Sequence, residues 1–295
     1  MKDNTILEVK NLKQHFHLRK DYTVKAVDGI SFNIKKGEVF GIVGESGSGK
    51  STIARTIMGV YPPTEGEVWF KNRKISDRKI SAVDKKDVQK NMQIIFQDSA
   101  AALNPRMTAE EIIAEPAVVS HVWKTKKQIH EEVGQLLSYV GLDVSYCDKY
   151  PNELSGGQRQ RVAIARSISV KPDLILADEP IASLDISIQA QIINLFYHLK
   201  EEHRSTFLFI AHDLSVVRYI SDRIAVMYQG RIVEMGRTED IFDHPLHAYT
   251  KSLLSAIPVP DPAFERGKKL LEYRETALHD NGEMKDCGNG HFVYA

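Results

Sequence analysis

Cysteine is nearly absent: Cys147 and Cys287 are the only two in 295 residues. Two thiols are too few for a disulfide framework or a metal cluster, and both are expected to stay reduced inside a cell. No apolar run approaches the roughly 20 residues that cross a bilayer. The opening residues, Met1 to Thr5, also lack the apolar core of a signal peptide. An excess of one charge is missing too, because 39 Lys and Arg balance 39 Asp and Glu. That balance removes any general attraction to nucleic acid or to an anionic membrane, so no nucleic-acid partner is expected. What is present is ordinary globular composition, 42% hydrophobic and 26% charged. The chain is long enough for one sizeable domain, or one domain with a subdomain. A soluble cytoplasmic protein is the starting expectation.

The first part reads as short strands at residues 6–10, 25–28, 30–34 and 38–43, broken by Asp-Gly and Lys-Lys-Gly turns. A glycine- and serine-rich loop, 44–49, precedes a stretch with helical spacing that runs to about Gly59. Residues 68–70 and 92–96 read as further strands. From Thr108 to about Val170 the pattern is helical, with capping-box spacing at Thr108 and Glu111 and a cap at Ser155. The runs 173–177 and 206–211 are continuously apolar, as in a buried parallel sheet, with 187–202 as their crossover helix. Gln229-Gly230 marks a hairpin between 223–227 and 231–234. After Pro258 the chain turns polar and irregular, a tail or a small appended element. The fold class is α/β: a core built around the glycine-rich loop, with an antiparallel β subdomain and an inserted α-helical subdomain of roughly sixty residues.

Gly44-Glu45-Ser46-Gly47-Ser48-Gly49-Lys50-Ser51, followed by Thr52, matches the phosphate-binding pattern GxxxxGK[ST] between a strand and a helix. Glycines let backbone N–H groups turn toward phosphate oxygens, and the helix N-terminus adds partial positive charge. Lys50 supplies an ammonium for the β and γ phosphates. Ser51 offers a hydroxyl to Mg²⁺, a cation that keeps most of its water and takes few protein ligands. This loop alone leaves kinases, GTPases, helicases and transport ATPases open.

Two further segments narrow the choice. The apolar run 174–177 ends in Asp178 and Glu179, one acid for the Mg²⁺ shell and one to accept a proton from attacking water. Leu154-Ser155-Gly156-Gly157-Gln158 opens a helix with a hydroxyl, free amides and no bulk. A simple capped turn has the same composition. Taken in this order with the phosphate loop, however, these segments resemble the ATP-binding-cassette ATPases, with Ser155 to Gln158 as their signature motif.

The resemblance implies that a partner's signature closes on the γ-phosphate held by this chain's loop, so that hydrolysis requires a head-to-tail dimer. It also implies roles for single residues. Gln97 is similar to the Q-loop glutamine that touches Mg²⁺, Asp185 in Ser183-Leu184-Asp185 to the D-loop, and His212 to the switch histidine on the γ-phosphate. Phe16 corresponds to the aromatic that stacks on adenine. ATP and Mg²⁺ are the implied ligands, with Glu179 and His212 catalytic and Ser51, Gln97 and Asp178 at the metal.

The blocks 96–108, 150–161, 184–191 and 244–254 resemble one branch, the ATPases of oligopeptide and dipeptide importers, and its F-type component in particular. That branch implies two polytopic permeases, a paralogous ATPase as partner (a homodimer being the alternative), an extracytoplasmic peptide-binding protein, and a place on the cytoplasmic face of the membrane. The domain reading is an ATPase domain over 1–258, with 108–170 as the helical insertion, and a branch-specific tail over 259–295. With only Cys287 in that tail, no iron–sulfur cluster is expected. Nickel or another small solute is the alternative cargo, and a soluble non-transport ATPase the alternative class. The segment 97–107, with Ser99 and Ala100 to Ala102 around an apolar knob at Leu103, is expected to form the groove that receives a permease helix.

Overall fold

Continuous apolar runs become strands buried on both faces. Val39–Val43, Leu174–Asp178 and Thr206–Ile210 are buried at every residue. The computed structural model describes residues 4–19, 22–77, 80–258, 268, 270–273 and 282–295. Its chain divides into two units, one formed by residues 1–7, 33–38 and 69–208 and the other by 8–32, 39–68 and 209–295.

In the first unit Met92–Ile95 runs parallel to Leu174–Asp178, with Met92 opposite Leu174 and Ile95 opposite Ala177. The start of Thr206–Ile210 lies on the other side of Leu174–Asp178, and the Phe207 N–H donates to the Glu38 carbonyl at 2.9 Å. The helical part contains Ala109–Val119, Lys126–Tyr139 and Gly156–Ile168. Thr108 and Glu111 form the expected capping box. Ile112, Ile113, Val133, Leu137, Val162 and Ile164 are buried, and each such side chain contributes roughly 1.5–3 kcal/mol.

Two features of this unit depart from the sequence reading. A helix, Ala82–Asn91, stands where none is expected; it buries no residue, so it carries no apolar period. Its Ser81 cap and the ion pairs from Arg73 to Asp84 and Asp87 support it instead. The second departure is Leu103, expected as a knob lining a groove but only 2% exposed. Asp98 caps the short helix Ser99–Ala102 by accepting the Ala100 and Ala101 N–H groups. Leu103 then turns inward while Ala100 and Ala101 stay exposed.

In the second unit five strands lie in the order Met284–Asp286, Phe292–Tyr294, Arg231–Arg237, Arg223–Tyr228, Val39–Val43. Val39–Val43 is parallel to Arg223–Tyr228, and the remaining pairs are antiparallel. The chain end is therefore a hairpin joined to the sheet edge. The polar stretch expected after Pro258 falls on 259–267, 269 and 274–281, outside the described residues.

The early strands are longer than their pattern suggests. Instead of a turn at Asp28-Gly29, one strand, Tyr22–Lys35, continues through both residues. Gly29 takes φ +80°, an irregularity glycine accepts without leaving the strand. Asp28 is held there by its N–H on the Gly230 carbonyl and by its carboxylate on Arg231 and His15. Among the described residues no helix is long and apolar enough to cross a membrane.

Candidate functional site

The sequence-derived residues fall into two sets. Phe16, residues 44–52 and His212 belong to the second unit; Gln97, Ser155 to Gln158, Asp178, Glu179 and Asp185 belong to the first.

The phosphate loop leaves the buried strand Val39–Val43 and enters the helix Lys50–Ile57. Its glycines are required by close backbone approach. A Cβ on Gly44 would stand 2.2 Å from the Met227 carbonyl oxygen, and one on Gly49 would stand 1.9 Å from that of Ala26. Gly49 is also the helix N-cap, at φ +104°, and supplies no side-chain cap. The cap residue thus brings no side chain of its own to the first-turn amides, which suits an anion at a helix N-terminus. Lys50 is 3% exposed, and its Nζ donates to the carbonyls of Gly44 and Glu45, both at 2.8 Å. The Ser48 hydroxyl is buried with no hydrogen-bond partner among the described residues. A buried cation and an orphaned hydroxyl beside glycine-lined backbone suit a polyphosphate.

His212 is exposed two residues beyond the strand Thr206–Ile210. The Ala211 N–H donates to the Ile42 carbonyl at 3.2 Å, so His212 leaves the sheet beside the strand that feeds the phosphate loop. Asp213 caps the next helix, Leu214–Ile220, by accepting the Ser215 N–H. Phe16 is half-buried and packs edge-on against Tyr61, with ring centroids 5.3 Å apart. Its neighbours His15 and His17 bond to Asp28 and Thr23.

In the first unit Asp178 ends its strand fully buried. Glu179 follows at φ +46°, left-handed backbone that costs a non-glycine residue of order 1 kcal/mol or more. Its Oε2 accepts a hydrogen bond from Gln97 Nε2 at 2.9 Å, joining two residues 82 positions apart. Ser51, Gln97 and Asp178 offer a hydroxyl, an amide oxygen and a carboxylate, the hard-oxygen donors that Mg²⁺ prefers.

The signature helix Gly156–Ile168 is closed by its own cap. Ser155 accepts the Gln158 N–H at 3.3 Å, and Gln158 Oε1 accepts the Ser155 N–H at 2.8 Å. Gln158 Nε2 also donates to the Tyr146 hydroxyl at 2.9 Å. A Cβ on Gly157 would lie 2.7 Å from Ile188 Cγ2, so the glycine admits the helix Ile186–His203. That helix is capped by Asp185, which accepts the Ile188 N–H at 3.0 Å. Hydrogen bonds from the Ser187 hydroxyl and the Ile188 amide hold the Asp185 carboxyl below the usual range. Arg166, on the signature helix, donates to the Ala102 carbonyl at 2.9 Å and ties that helix to the segment after Gln97.

Sequence reasoning did not find the Gln97–Glu179 bond. It also missed Tyr249, whose hydroxyl accepts the Glu45 N–H of the phosphate loop at 3.2 Å. Neither contact has a local signal, because each joins distant segments.

Comparison with known proteins returns two families, ABC transporter over residues 27–182 and Oligopeptide/dipeptide transporter, C-terminal region, over 233–287. The oligopeptide transport ATP-binding protein OppF of Bacillus subtilis (strain 168) is 50% identical, over 98% of this chain and 95% of its own length. The dipeptide transport ATP-binding protein DppF of Lactococcus lactis subsp. cremoris (strain MG1363) is 46% identical, over 98% of this chain and 94% of its own. Among solved structures, the dimeric post-hydrolysis state of the ATP-binding cassette MJ0796 with ADP and Pi is similar at a TM-score of 0.72 and 31% identity. That match covers 79% of this chain and 99% of the other.

Proposed function

The chain belongs to the ABC transporter ATPase family, and from that premise we propose that it is the ATP-hydrolysing subunit of an oligopeptide or dipeptide importer. The observation that carries the cargo class is the second family match, over 233–287, in the same chain as the ATPase match. ATP hydrolysis by this subunit energises peptide uptake.

Phosphoryl transfer to water depends on positioning and charge neutralisation more than on covalent chemistry. Lys50 and the amides of 44–52 hold the phosphates, and Phe16 stacks on the base. Ser51, Gln97 and Asp178 would hold Mg²⁺, which would supply neutralisation of phosphate charge. Glu179 accepts the proton of the attacking water, and His212 contacts the γ-phosphate end. Ser155, Gly156, Gly157, Gln158 and Asp185 act in a dimer, on the nucleotide bound to the partner ATPase. The Gln97–Glu179 bond supports a resting role as well: while Gln97 holds Glu179, that carboxylate is engaged, and release frees it as a base.

The ATPase partner is a paralogue. Two polytopic permeases and an extracytoplasmic peptide-binding protein complete the importer, with this chain on the cytoplasmic membrane face. Residues 1–258 form the ATPase domain, with 108–170 as the insertion that meets the permeases and 259–295 as the branch-specific end. The exposed Ala100 and Ala101 support 97–107 as the docking segment. Uptake of defined di- to hexapeptides by cells lacking this chain tests the reading. Loss of uptake, restored by wild type and not by Glu179→Gln, is expected; undiminished peptide uptake with a defect for another solute would overturn the cargo assignment.

A further inference from the structure

In the structure the segment 244–254 reaches the phosphate loop. Besides accepting the Glu45 N–H, Tyr249 is 2% exposed. Its ring lies 4.3 Å from that of Tyr228 and 5.5 Å from that of Tyr273, centroid to centroid. Burial pushes its hydroxyl up to about 12, so it remains a neutral phenol that can accept from an amide.

The Gly44–Glu45 peptide is held on both of its sides. The Gly44 carbonyl accepts from Lys50 Nζ, and the Glu45 N–H of the same peptide donates to Tyr249. Tyr249 holds the amide side of that peptide by a bond that does not involve Lys50.

Tyr249 is itself secured. It lies in the first turn of the helix Ala248–Ser255, and its N–H donates to Nδ1 of the N-cap His247 at 3.2 Å. Burial lowers the His247 pKa, favouring the neutral ring that accepts this bond. The buried Glu234 carboxylate accepts the N–H groups of Leu246 at 2.7 Å and His247 at 3.0 Å. His291, in the terminal hairpin, bonds to Glu234 through Nε2 at 2.7 Å. A continuous set of hydrogen bonds, buried at His291–Glu234 and part-buried beyond it, therefore runs from the terminal hairpin to the phosphate loop.

We propose that Tyr249 is a positioning residue for nucleotide binding: its hydroxyl braces the Gly44–Glu45 peptide so that the amides after it face the phosphates. The inference rests on reading 44–51 as the phosphate loop. It gives the C-terminal segment a role in the ATP site, apart from any contact with other subunits. Aligning donors for bound ATP acts on ground-state binding, so it is read in KM rather than in kcat.

Tyr249→Phe keeps the ring between Tyr228 and Tyr273 and removes only the acceptor. ATP affinity and the KM and kcat of ATP hydrolysis are measured on the full-length chain, with Lys50→Ala alongside. The dissociation constant and KM are expected to rise roughly two- to tenfold, the range of one neutral hydrogen bond. The kcat should stay within about twofold, and the melting temperature should barely move. Unchanged affinity and KM in Tyr249→Phe, with ATP binding weakened in Lys50→Ala, would overturn the brace and leave the phosphate-loop reading intact. A large fall in melting temperature with unchanged KM would reduce Tyr249 to packing and overturn it too. Undiminished affinity in Lys50→Ala would overturn both readings.

Discussion

Two helices in this chain begin with glycine-rich ends suited to phosphate, and they are finished in opposite ways. At Lys50–Ile57 the N-cap is Gly49, left-handed, with no side-chain cap, and a buried lysine stands over the turn. At Gly156–Ile168 the N-cap is Ser155, and its capping box with Gln158 already satisfies two backbone donors. The first end is built for an anion before any arrives. The second is stable by itself, and an anion there shares or displaces a hydroxyl that has a use already. That difference suits the roles proposed above, a loop that holds this chain's own nucleotide and an end that engages a nucleotide in a closed dimer.

The largest expected effect separates chemistry from binding. Glu179→Gln should lower kcat by about 10²- to 10⁴-fold, the usual worth of a positioned general base, while ATP affinity stays near wild type. Single-turnover hydrolysis and equilibrium ATP binding measure the two quantities, and near-normal turnover would remove Glu179 from the role. Lys50→Ala should come next, weakening ATP binding about tenfold to a hundredfold, as expected when charge-assisted hydrogen bonds are lost. Isothermal titration with ATP reads this effect, and a signature-end variant such as Ser155→Ala should leave the affinity of the isolated chain unchanged.

Glycine substitutions sharpen the contrast on the stability axis. Gly49→Ala forces a Cβ to 1.9 Å from the Ala26 carbonyl, at a positive φ, and should destabilise by roughly 2 kcal/mol or more. Gly156→Ala places its Cβ 3.8 Å from Leu184 Cδ2, an ordinary contact in a helix, and should be neutral or stabilising by up to about 1 kcal/mol. Denaturant melts of the two variants decide it; equal destabilisation would mean that the two ends are not built differently. The smallest expected destabilisation is that of Ser155→Ala, about 1 kcal/mol through the lost cap. The same melts measure it, and no loss would show that the capping box is not what closes that end.

The legible parts of the molecule were those with local causes. Thr108 with Glu111, and Ser155 as a cap, were readable as helix starts because a cap is a contact over three residues. The buried strands were readable as unbroken apolar runs. The helix Ala82–Asn91 was not, because it buries nothing and so leaves no hydrophobic period. Asp28-Gly29 looked like a turn because that dipeptide often makes one. Its bonds to residues 230 and 231 keep it in a strand, and they lie some two hundred positions away. Leu103 was identifiable as apolar but not as buried, since its direction depends on the short helix that Asp98 caps.

The sequence by itself determined the chemistry of the phosphate loop. Its glycines, lysine and serines act through backbone conformation and a helix end, all within eight consecutive residues, although the close approach of Ala26 and Met227 to Gly49 and Gly44 is visible only in the fold. Tertiary structure decided what grips that chemistry. Gln97 meets Glu179 across 82 positions, and Tyr249 meets Glu45 across 204. A hydrogen bond between such distant groups depends on the directions of several strands and helices at once. No residue spacing encodes those directions, and only the folded chain brings the donor to its acceptor.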